Sequence, residues 1–225
     1  METTNEKQLN NRISVGNSYN KGWNIMWATF VELLVVTLVY IVIQIPTSAT
    51  WKMDKDDFEP VFILLGFFAF AYGIMLSGPI GYSVDWVFLK AVRKEKIEVK
   101  DMFSVFERNY WNAVLASLIT GVIIIIGIIM LIVPGIIFAC RLAFVPYLVI
   151  DRKMEAMEAL KTSWEMTRGH GWKVFLIGLL GFFIVIAGLI VLFFGVIISA
   201  IWITTALAVL YHDVSSKYSG VPATS

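Results

Sequence analysis

Two long apolar stretches constrain the fold of this chain more than any other feature. Residues 111–150 carry a single charge, Arg141, and residues 172–211 carry a single charge, Lys173. A membrane-spanning helix needs about 20 apolar residues to cross a hydrocarbon core of about 30 Å. Each stretch is twice as long as that, and as one straight helix it would extend about 60 Å. Each stretch therefore predicts two crossings joined by a reversal, that is, a helical hairpin.

Two further apolar stretches precede the long ones, and each predicts a single crossing. The first is interrupted by Glu32 and the second, near its end, by Asp85, which we expect near the interface, paired with Arg93 or with an amphipathic segment. The reversals of the long stretches are expected at Pro134-Gly135 and at Gly195. The apolar runs are continuous rather than alternating, which favours helices over a β-barrel. The six predicted crossings are approximately 23–46, 61–89, 111–133, 134–151, 173–194 and 195–212.

Composition excludes most other classes of protein. The chain is 58% hydrophobic and 16% charged, whereas a soluble domain is about 45–50% apolar and about 25% charged, so a soluble enzyme is excluded. The formal net charge of +1 gives no electrostatic basis for binding nucleic acid. One cysteine, Cys140, cannot form an internal disulfide, and with His170 and His212 it cannot complete a metal site. We expect no catalytic, cofactor or metal site.

The positions of the basic residues predict the orientation. With six crossings, both termini and the segments 90–110 and 151–173 lie on the same side, and that side carries sixteen of the eighteen Lys and Arg residues if Arg141, within the fourth crossing, is assigned to it. The rule that positive charge stays inside makes it cytoplasmic. The predicted location is the cytoplasmic (inner) membrane of a bacterium, with both termini in the cytoplasm. The cations on the other side are Lys52 and Lys55.

The same reading divides the chain into three parts: a cytoplasmic segment 1–22, a six-helix membrane domain 23–213 and a cytoplasmic tail 214–225. Amphipathic helices are predicted near 97–109 and 153–168, where apolar residues recur at helical spacing. The apolar stripe of the first consists of Val99, Met102, Phe103 and Phe106, and that of the second of Met154, Met157, Leu160 and Trp164. These helices could lie in the headgroup layer or pack on the end of the bundle, and the sequence leaves both alternatives open. Trp23, Trp111 and Trp172 are predicted interfacial anchors.

Glu32 and Arg141 are charges of opposite sign at matching predicted depths. Glu32 lies nine residues after Trp23 and Arg141 lies ten residues before Asp151, which places them roughly 13 and 15 Å from the cytoplasmic interface. Because a charge near the midplane costs at least about 2.5–3.5 kcal/mol, such residues usually find partners. We predict that the two pair directly or through water. The pair could be structural or could belong to a polar pathway.

The carboxyl-terminal half resembles a known membrane family. In this region the sequence reads Pro134-Gly135-Ile136, then Arg141, Phe144, Pro146, Asp151, Ala159-Leu160, Ser163, Thr167, Gly169 and Trp172, and the tail contains Ala206, Ala208, Tyr211 and Asp213. This pattern resembles the membrane domain of bacterial glycerophosphoryl diester phosphodiesterases and related multi-pass proteins of unknown function. The resemblance is best over 130–213.

The resemblance implies architecture more than activity. In full-length relatives the membrane domain precedes a soluble phosphodiesterase barrel that carries the metal-binding residues, and only a short tail follows Tyr211 here. The resemblance marks family-motif positions without assigning them a function: Pro134, Gly135, Arg141, Pro146, Asp151, Ser163 and Trp172. On physical grounds Ser163 and Thr167 could cap or bridge the cytoplasmic helix, Asp151 could cap its start, and Pro146 could kink the fourth crossing.

Two functions remain in competition. The first is a membrane protein without catalytic activity that organises the bilayer, interacts with lipids or docks a partner. Its partners would be membrane lipids, another membrane protein or a second copy of itself. The alternative is a small transporter or exporter, including one that protects against membrane-active peptides, with Glu32, Arg141, Gln44 and Asp85 as candidates for a polar path. An intramembrane enzyme is least favoured, since no nucleophile and base are placed together.

Overall fold

The computed structural model describes residues 13–48, 60–190 and 193–218, and the regular elements within these ranges are all helical. This confirms the predicted all-α fold. A π-helical segment, Gly73–Ser77, lies between α3 and α4, and a 3-10 helix, Val99–Phe103, precedes α5. The α-helices are α1 (Val15–Ala28), α2 (Phe30–Ser48), α3 (Pro60–Tyr72), α4 (Gly78–Val92), α5 (Val105–Arg108), α6 (Tyr110–Met130), α7 (Ile132–Leu142), α8 (Val145–Asp151), α9 (Ala156–Met166), α10 (Gly171–Ile190) and α11 (Phe193–Ser215).

Within the residues that the structure describes, six helical segments are long and apolar enough to span a membrane, which agrees with the predicted number of crossings. Within them α6 packs against α7, and α10 packs against α11. The arrangement of the six as three hairpins across a bilayer stays a prediction. The segments are Phe30–Thr47, Leu64–Val92, Tyr110–Met130, Ile132–Asp151, Gly171–Leu189 and Gly195–Ser215.

The first spanning segment begins later than the sequence predicted. α1 ends at Ala28 because Thr29 adopts φ −126° and ψ 33°, outside the helical region. α2 begins at Phe30, while α1 packs along α11. Glu32 therefore lies in the first turn of the spanning helix rather than at its middle, where the helix dipole favours a carboxylate. Apolar residues continue across Thr29, so hydropathy alone cannot locate the break.

The reversal between α6 and α7 lies at Leu131, three residues before the predicted Pro134. Leu131 is extended, with φ −170° and ψ 148°, and Pro134 follows in the first turn of α7, where its missing N–H leaves no helical bond unmade. Gly135 instead permits close helix contact. A Cβ on Gly135 would lie 2.8 Å from the backbone nitrogen of Ile128, so the glycine is required by packing rather than by the turn.

The fourth spanning segment is broken near its middle. α7 ends at Leu142 and α8 begins at Val145, with Pro146 in the first turn of α8. The break therefore lies immediately before the proline that predicted a kink. Proline within a helix removes a backbone donor and clashes with the preceding turn, which accounts for the break at this position.

Close contact also joins α10 and α11. A Cβ on Gly188 would lie 2.5 Å from Oγ of Ser199 and 2.6 Å from the carbonyl oxygen of Gly195, so the two glycines meet face to face. Gly195, the predicted reversal, lies inside α11. Residues 191–192, which separate the two helices, lie outside the described residues.

The amphipathic segments pack against one end of the bundle, where the core is concentrated. On α9 the inward residues Ala159, Leu160 and Met166 are buried, whereas Met157 is exposed. The 3-10 helix and α5 bury Met102 and Val105 but leave other apolar residues of the predicted stripe exposed, namely Val99, Phe103 and Phe106. The inner faces of both segments therefore support packing on the bundle. Placement in the headgroup layer stays a prediction.

Candidate functional site

A groove with a volume of about 650 Å³ lies between α7 and the start of α10. Its walls are mainly aliphatic and aromatic, and Arg141 is the one cationic residue that lines it among the described residues. We call it the Arg141 groove. Its lining residues are Val133, Ile136, Ile137, Cys140, Arg141, Gly169, Gly171, Trp172 and Phe175. An apolar groove with a single cationic group fits an amphiphile that has an anionic end.

Arg141 carries an unused hydrogen-bond donor. Its Nη1 atom is buried and, within the described part of the chain, has no hydrogen-bond partner. The guanidinium carbon lies 5.6 Å from the centre of the Trp164 ring, a cation–π contact that supplies no hydrogen-bond acceptor in the ring plane. A buried donor without a partner is costly, and a guanidinium fork matches phosphate or carboxylate oxygens. The geometry is that of an anion-binding position.

The backbone of Arg141 is held by α9. Ser163 Oγ donates a hydrogen bond of 2.8 Å to the carbonyl oxygen of Arg141. Thr167 Oγ1 lies 3.2 Å from the same atom and 2.8 Å from the carbonyl oxygen of Ser163, so its single proton is shared between these acceptors. Because the helix breaks before Val145, this carbonyl lacks the backbone N–H donor that a continuous helix would supply. The side-chain hydroxyls take the place of that donor. Phe144 N in turn donates to Ser163 Oγ at 3.3 Å. Ser163 and Thr167 thus bridge α9 to the break, as the sequence suggested.

The rim of the groove is electropositive. Gly171 is the first residue of α10, whose amino-terminal N–H groups carry partial positive charge, and Lys173 lies in the same turn. Gly169 adopts φ +78°, which turns the chain from α9 into α10.

His170 Nδ1 is buried without a partner among the described residues. Burial and the neighbouring Lys173 lower the pKa of His170, so this imidazole is neutral at pH 7.

The structure does not bring Glu32 and Arg141 into direct contact. Among the described residues no ion pair joins them. Glu32 is exposed in the first turn of α2, whereas Arg141 lies beside Trp164 of α9. The predicted depth of Glu32 was counted from Trp23, which belongs to α1 rather than to the spanning helix α2. Contact through water stays a prediction.

Asp151 forms the centre of a buried ionic cluster rather than a helix cap. Arg93 donates to both of its carboxylate oxygens, at 2.5 and 2.7 Å. Arg152 Nε lies 3.3 Å away, and the Tyr211 hydroxyl donates to Oδ2 at 3.5 Å. Asp151 is the last residue of α8, and the residue that precedes α9 is Glu155. The expected capping role is therefore wrong, and the pair instead fastens α8 to the end of α4.

Asp85 lies in the interior, which the sequence did not predict. It had been expected near the interface as a partner of Arg93, but Arg93 is engaged by Asp151. Asp85 lines a cavity of about 460 Å³ between α2, α4 and α11, which we call the Asp85 cavity. The π-helical segment before α4 joins two helices into one long span, and the apolar pattern gives no sign of where a polar residue on that span faces.

A third cavity, of about 440 Å³, adjoins both of the others. We call it the middle cavity. It shares Asp85 and Thr204 with the Asp85 cavity, and it shares Ile136, Cys140 and Phe175 with the Arg141 groove. The three cavities therefore form a series with common walls.

The predicted anchors differ in their surroundings. Trp111 and Trp172 are each 68% exposed, whereas Trp23 is partly covered by Trp202, with ring centres 4.7 Å apart. Trp172 also lines the Arg141 groove. Sequence reasoning missed Trp164, which was assigned only to an apolar stripe, and no spacing rule links it to an arginine so far back along the chain.

Comparison with known proteins finds a family model that matches the segment containing the groove. Residues 110–219 match the family model described as the membrane domain of glycerophosphoryl diester phosphodiesterase. No curated protein and no solved structure matches the chain. The matched segment begins at the first residue of α6 and includes Arg141, Asp151 and Ser163. The suspected resemblance is confirmed, and residues 110–219 are similar to the membrane domain of these phosphodiesterases.

Proposed function

We propose that this membrane protein binds phosphate-bearing lipids in the Arg141 groove, as a lipid-interacting module without catalytic activity of its own. The observation that carries the proposal is the buried, unpartnered Nη1 of Arg141 in an otherwise apolar groove. A phosphate oxygen would accept its hydrogen bond, and the electropositive start of α10 would add to the attraction.

The apolar walls favour a lipid over a free phosphate compound. Val133, Ile136 and Ile137 belong to α7, and Phe175 faces them from α10. Such side chains offer nothing to a polar solute, but they bury acyl chains at about 25 cal/mol per Å² of apolar surface. A lipid headgroup at Arg141 with its chains along α7 uses both parts of the groove.

We further propose that the protein resides in a bacterial cytoplasmic membrane with both termini in the cytoplasm. The distribution of Lys and Arg supports this orientation. Reporter fusions at Lys94, Lys161 and within residues 52–57 test it. Cytoplasmic readings at the first two sites and an external reading at the third are expected. An external reading at Lys94 would overturn the orientation.

Lipid titration of the purified protein in detergent tests the binding proposal. Phosphatidylglycerol, diacylglycerol with the same chains, and glycerol 3-phosphate separate the contributions of phosphate and chains. We expect phosphatidylglycerol to bind most tightly. Arg141→Met should weaken it by about 10- to 100-fold, because hydrogen bonds to charged groups contribute about 1.5–3 kcal/mol.

The matched control is Arg168→Met, which removes an exposed cation near the same end of the bundle. It should leave phosphatidylglycerol affinity within a few-fold of the wild type. Equal affinity of the wild type and Arg141→Met for phosphatidylglycerol would refute the proposal. So would equal binding of phosphatidylglycerol and diacylglycerol by the wild type.

Transport is the second candidate function, and the series of three cavities with common walls favours it. Such a series could give a lipid or another amphiphile a route between α7, α10 and α11. Reconstituted vesicles with a fluorescent lipid in one leaflet test this function. Wild-type protein that accelerates exchange between the leaflets, and Arg141→Met that does not at equal abundance, would support it. Exchange at the protein-free rate would exclude this function.

A further inference from the structure

Asp85 is an acidic residue inside the membrane-spanning part of the molecule. It lies on α4, within the span Leu64–Val92. Its cavity is also lined by Tyr40 of α2, by Tyr82 and Phe88 of α4, and by Thr204 of α11. Aromatic rings and polar side chains thus surround a carboxyl group at a depth where few polar groups occur.

The cations close to Asp85 in sequence are engaged elsewhere. Lys90 Nζ lies 2.6 Å from Asp101 Oδ2, and Arg93 pairs with Asp151. In the described ranges no cation lies within 4.0 Å of the Asp85 carboxylate. A charged carboxylate in a membrane interior costs at least about 2.5–3.5 kcal/mol unless a positive charge accompanies it. The cavity therefore favours a cationic occupant.

The walls of the cavity indicate which cation fits. A metal ion requires several oxygen or nitrogen ligands, and among the described residues no three acidic, His or Cys side chains come together. Aromatic rings beside one carboxylate instead suit a substituted ammonium group, which is attracted by the ring faces and needs no fixed ligand number. The volume of about 460 Å³ accommodates such a group with an apolar substituent.

Tyr40 is fixed in position for this contact. Gln44 Nε2 donates a hydrogen bond of 2.8 Å to its hydroxyl. Gly81 provides the space, because a Cβ on Gly81 would lie 2.8 Å from the same hydroxyl oxygen. The hydrogen bond from Gln44 on the same helix therefore fixes the Tyr40 ring at the cavity, and the absence of a side chain at Gly81 of α4 leaves room for it.

We propose that the Asp85 cavity binds a lipophilic organic cation, a substituted ammonium with an apolar group, with the Asp85 carboxylate as its counter-ion. This site is separate from the lipid-binding position at Arg141 and uses different residues. The middle cavity lies between them.

Two probes of the same shape test the proposal. Benzyltrimethylammonium carries a positive charge, and neopentylbenzene is its neutral carbon isostere. Binding of each probe to the purified full-length protein in detergent is measured by equilibrium dialysis. We expect the wild type to bind the cation at least tenfold more tightly than the isostere. Asp85→Asn should lose at least tenfold in affinity for the cation and change little toward the isostere.

Three further variants make the result decisive. Asp85→Glu keeps the charge and should retain cation binding within a few-fold. Glu158→Gln removes an exposed carboxylate on α9 and should change nothing. Arg141→Met should also retain cation binding, so failure of the lipid proposal and failure of this one are distinguishable.

Either of two results would overturn the proposal. One is a wild type that does not distinguish the cation from its isostere. The other is Asp85→Asn that binds the cation as the wild type does. If Asp85→Asn does not fold, the wild-type comparison of the two probes and the Asp85→Glu result still decide.

Discussion

Replacement of Asp151 by Asn should destabilise the protein more than any other removal of one charge in its ionic cluster. The Asp151 side chain is 2% exposed and that of Arg93 is 19% exposed. Asn keeps the size of the side chain but removes its charge, so the Arg93 guanidinium loses the carboxylate to which it donates two hydrogen bonds. Removing one partner of a buried ion pair costs about 3–5 kcal/mol. Because Arg93 retains some access to solvent, we expect a loss near the lower figure, about 3 kcal/mol.

The cluster also predicts an asymmetry. Arg93→Met should cost less than Asp151→Asn, because Asp151 keeps Arg152 at 3.3 Å and the Tyr211 hydroxyl. The double variant Arg93→Met with Asp151→Leu should recover part of the loss, since an apolar pair of similar size can replace a buried ion pair but does not restore the contact of Arg152 with Asp151. These comparisons separate the cost of an unpaired charge from the loss of packing.

The assay is equilibrium unfolding of the purified protein in mixed micelles, followed by tryptophan fluorescence. Glu98→Gln is the control, because it breaks two ion pairs at the surface, to Lys96 at 2.9 Å and to Lys100 at 2.7 Å, and should change stability little. If Asp151→Asn costs no more than Glu98→Gln, or less than Arg93→Met, then the cluster does not fasten α8 to α4 as argued.

Further predictions concern the helix contacts, the break before α8 and a titratable ring. Gly188→Ala should cost about 1–3 kcal/mol through overpacking, whereas Gly178→Ala, with no atom within 4 Å of the added Cβ, should not destabilise; the same unfolding assay compares them, and equal effects would contradict the close contact. Ser163→Ala should cost about 1 kcal/mol in that assay, since one of two hydroxyl donors to the carbonyl at the break is lost, and no loss would show that the remaining donor suffices. Burial lowers the pKa of His170, so the unfolded chain binds its proton more readily, and the free energy of unfolding should fall as pH drops below about 6.5. Histidine NMR with His212→Gln for assignment checks this, and a His170 pKa at or above the ordinary value would refute it.

The spanning segments were predictable because they depend on a sum over many residues. The apolar runs 111–150 and 172–211 are too long to cross a bilayer once. That conclusion depends on their total length, so an error of a few residues in a helix end does not change it. The helix ends were less predictable because each depends on one residue. Thr29 interrupts the helix inside a continuous apolar run, and the reversal lies at Leu131, although Pro134-Gly135 carries the usual turn residues.

The candidate site was predictable only in part. Arg141 was singled out because a charge in an apolar segment is costly, and that argument needs no partner. Its surroundings depend on contacts between distant segments, which spacing does not encode: Trp164 and Ser163 reach it from α9. Asp85 was expected to pair with Arg93, eight residues later on the same segment, but the carboxylate that Arg93 contacts belongs to α8, 58 residues further along the chain.

The hydroxyls of Ser163 and Thr167 contact the carbonyl oxygen of Arg141 from α9 and the turn after it, outside the spanning segments. The position of Arg141 therefore depends on the position of α9. The guanidinium and the carbonyl belong to the same residue, so its reach into the groove is set by where α9 rests on the bundle. A protein or a charged surface that displaces α9 from the bundle would thereby retract or advance the only side-chain cation lining the groove in the described chain. If the groove binds lipid as proposed, a partner that docks on α9 should therefore change the affinity of the groove for that lipid.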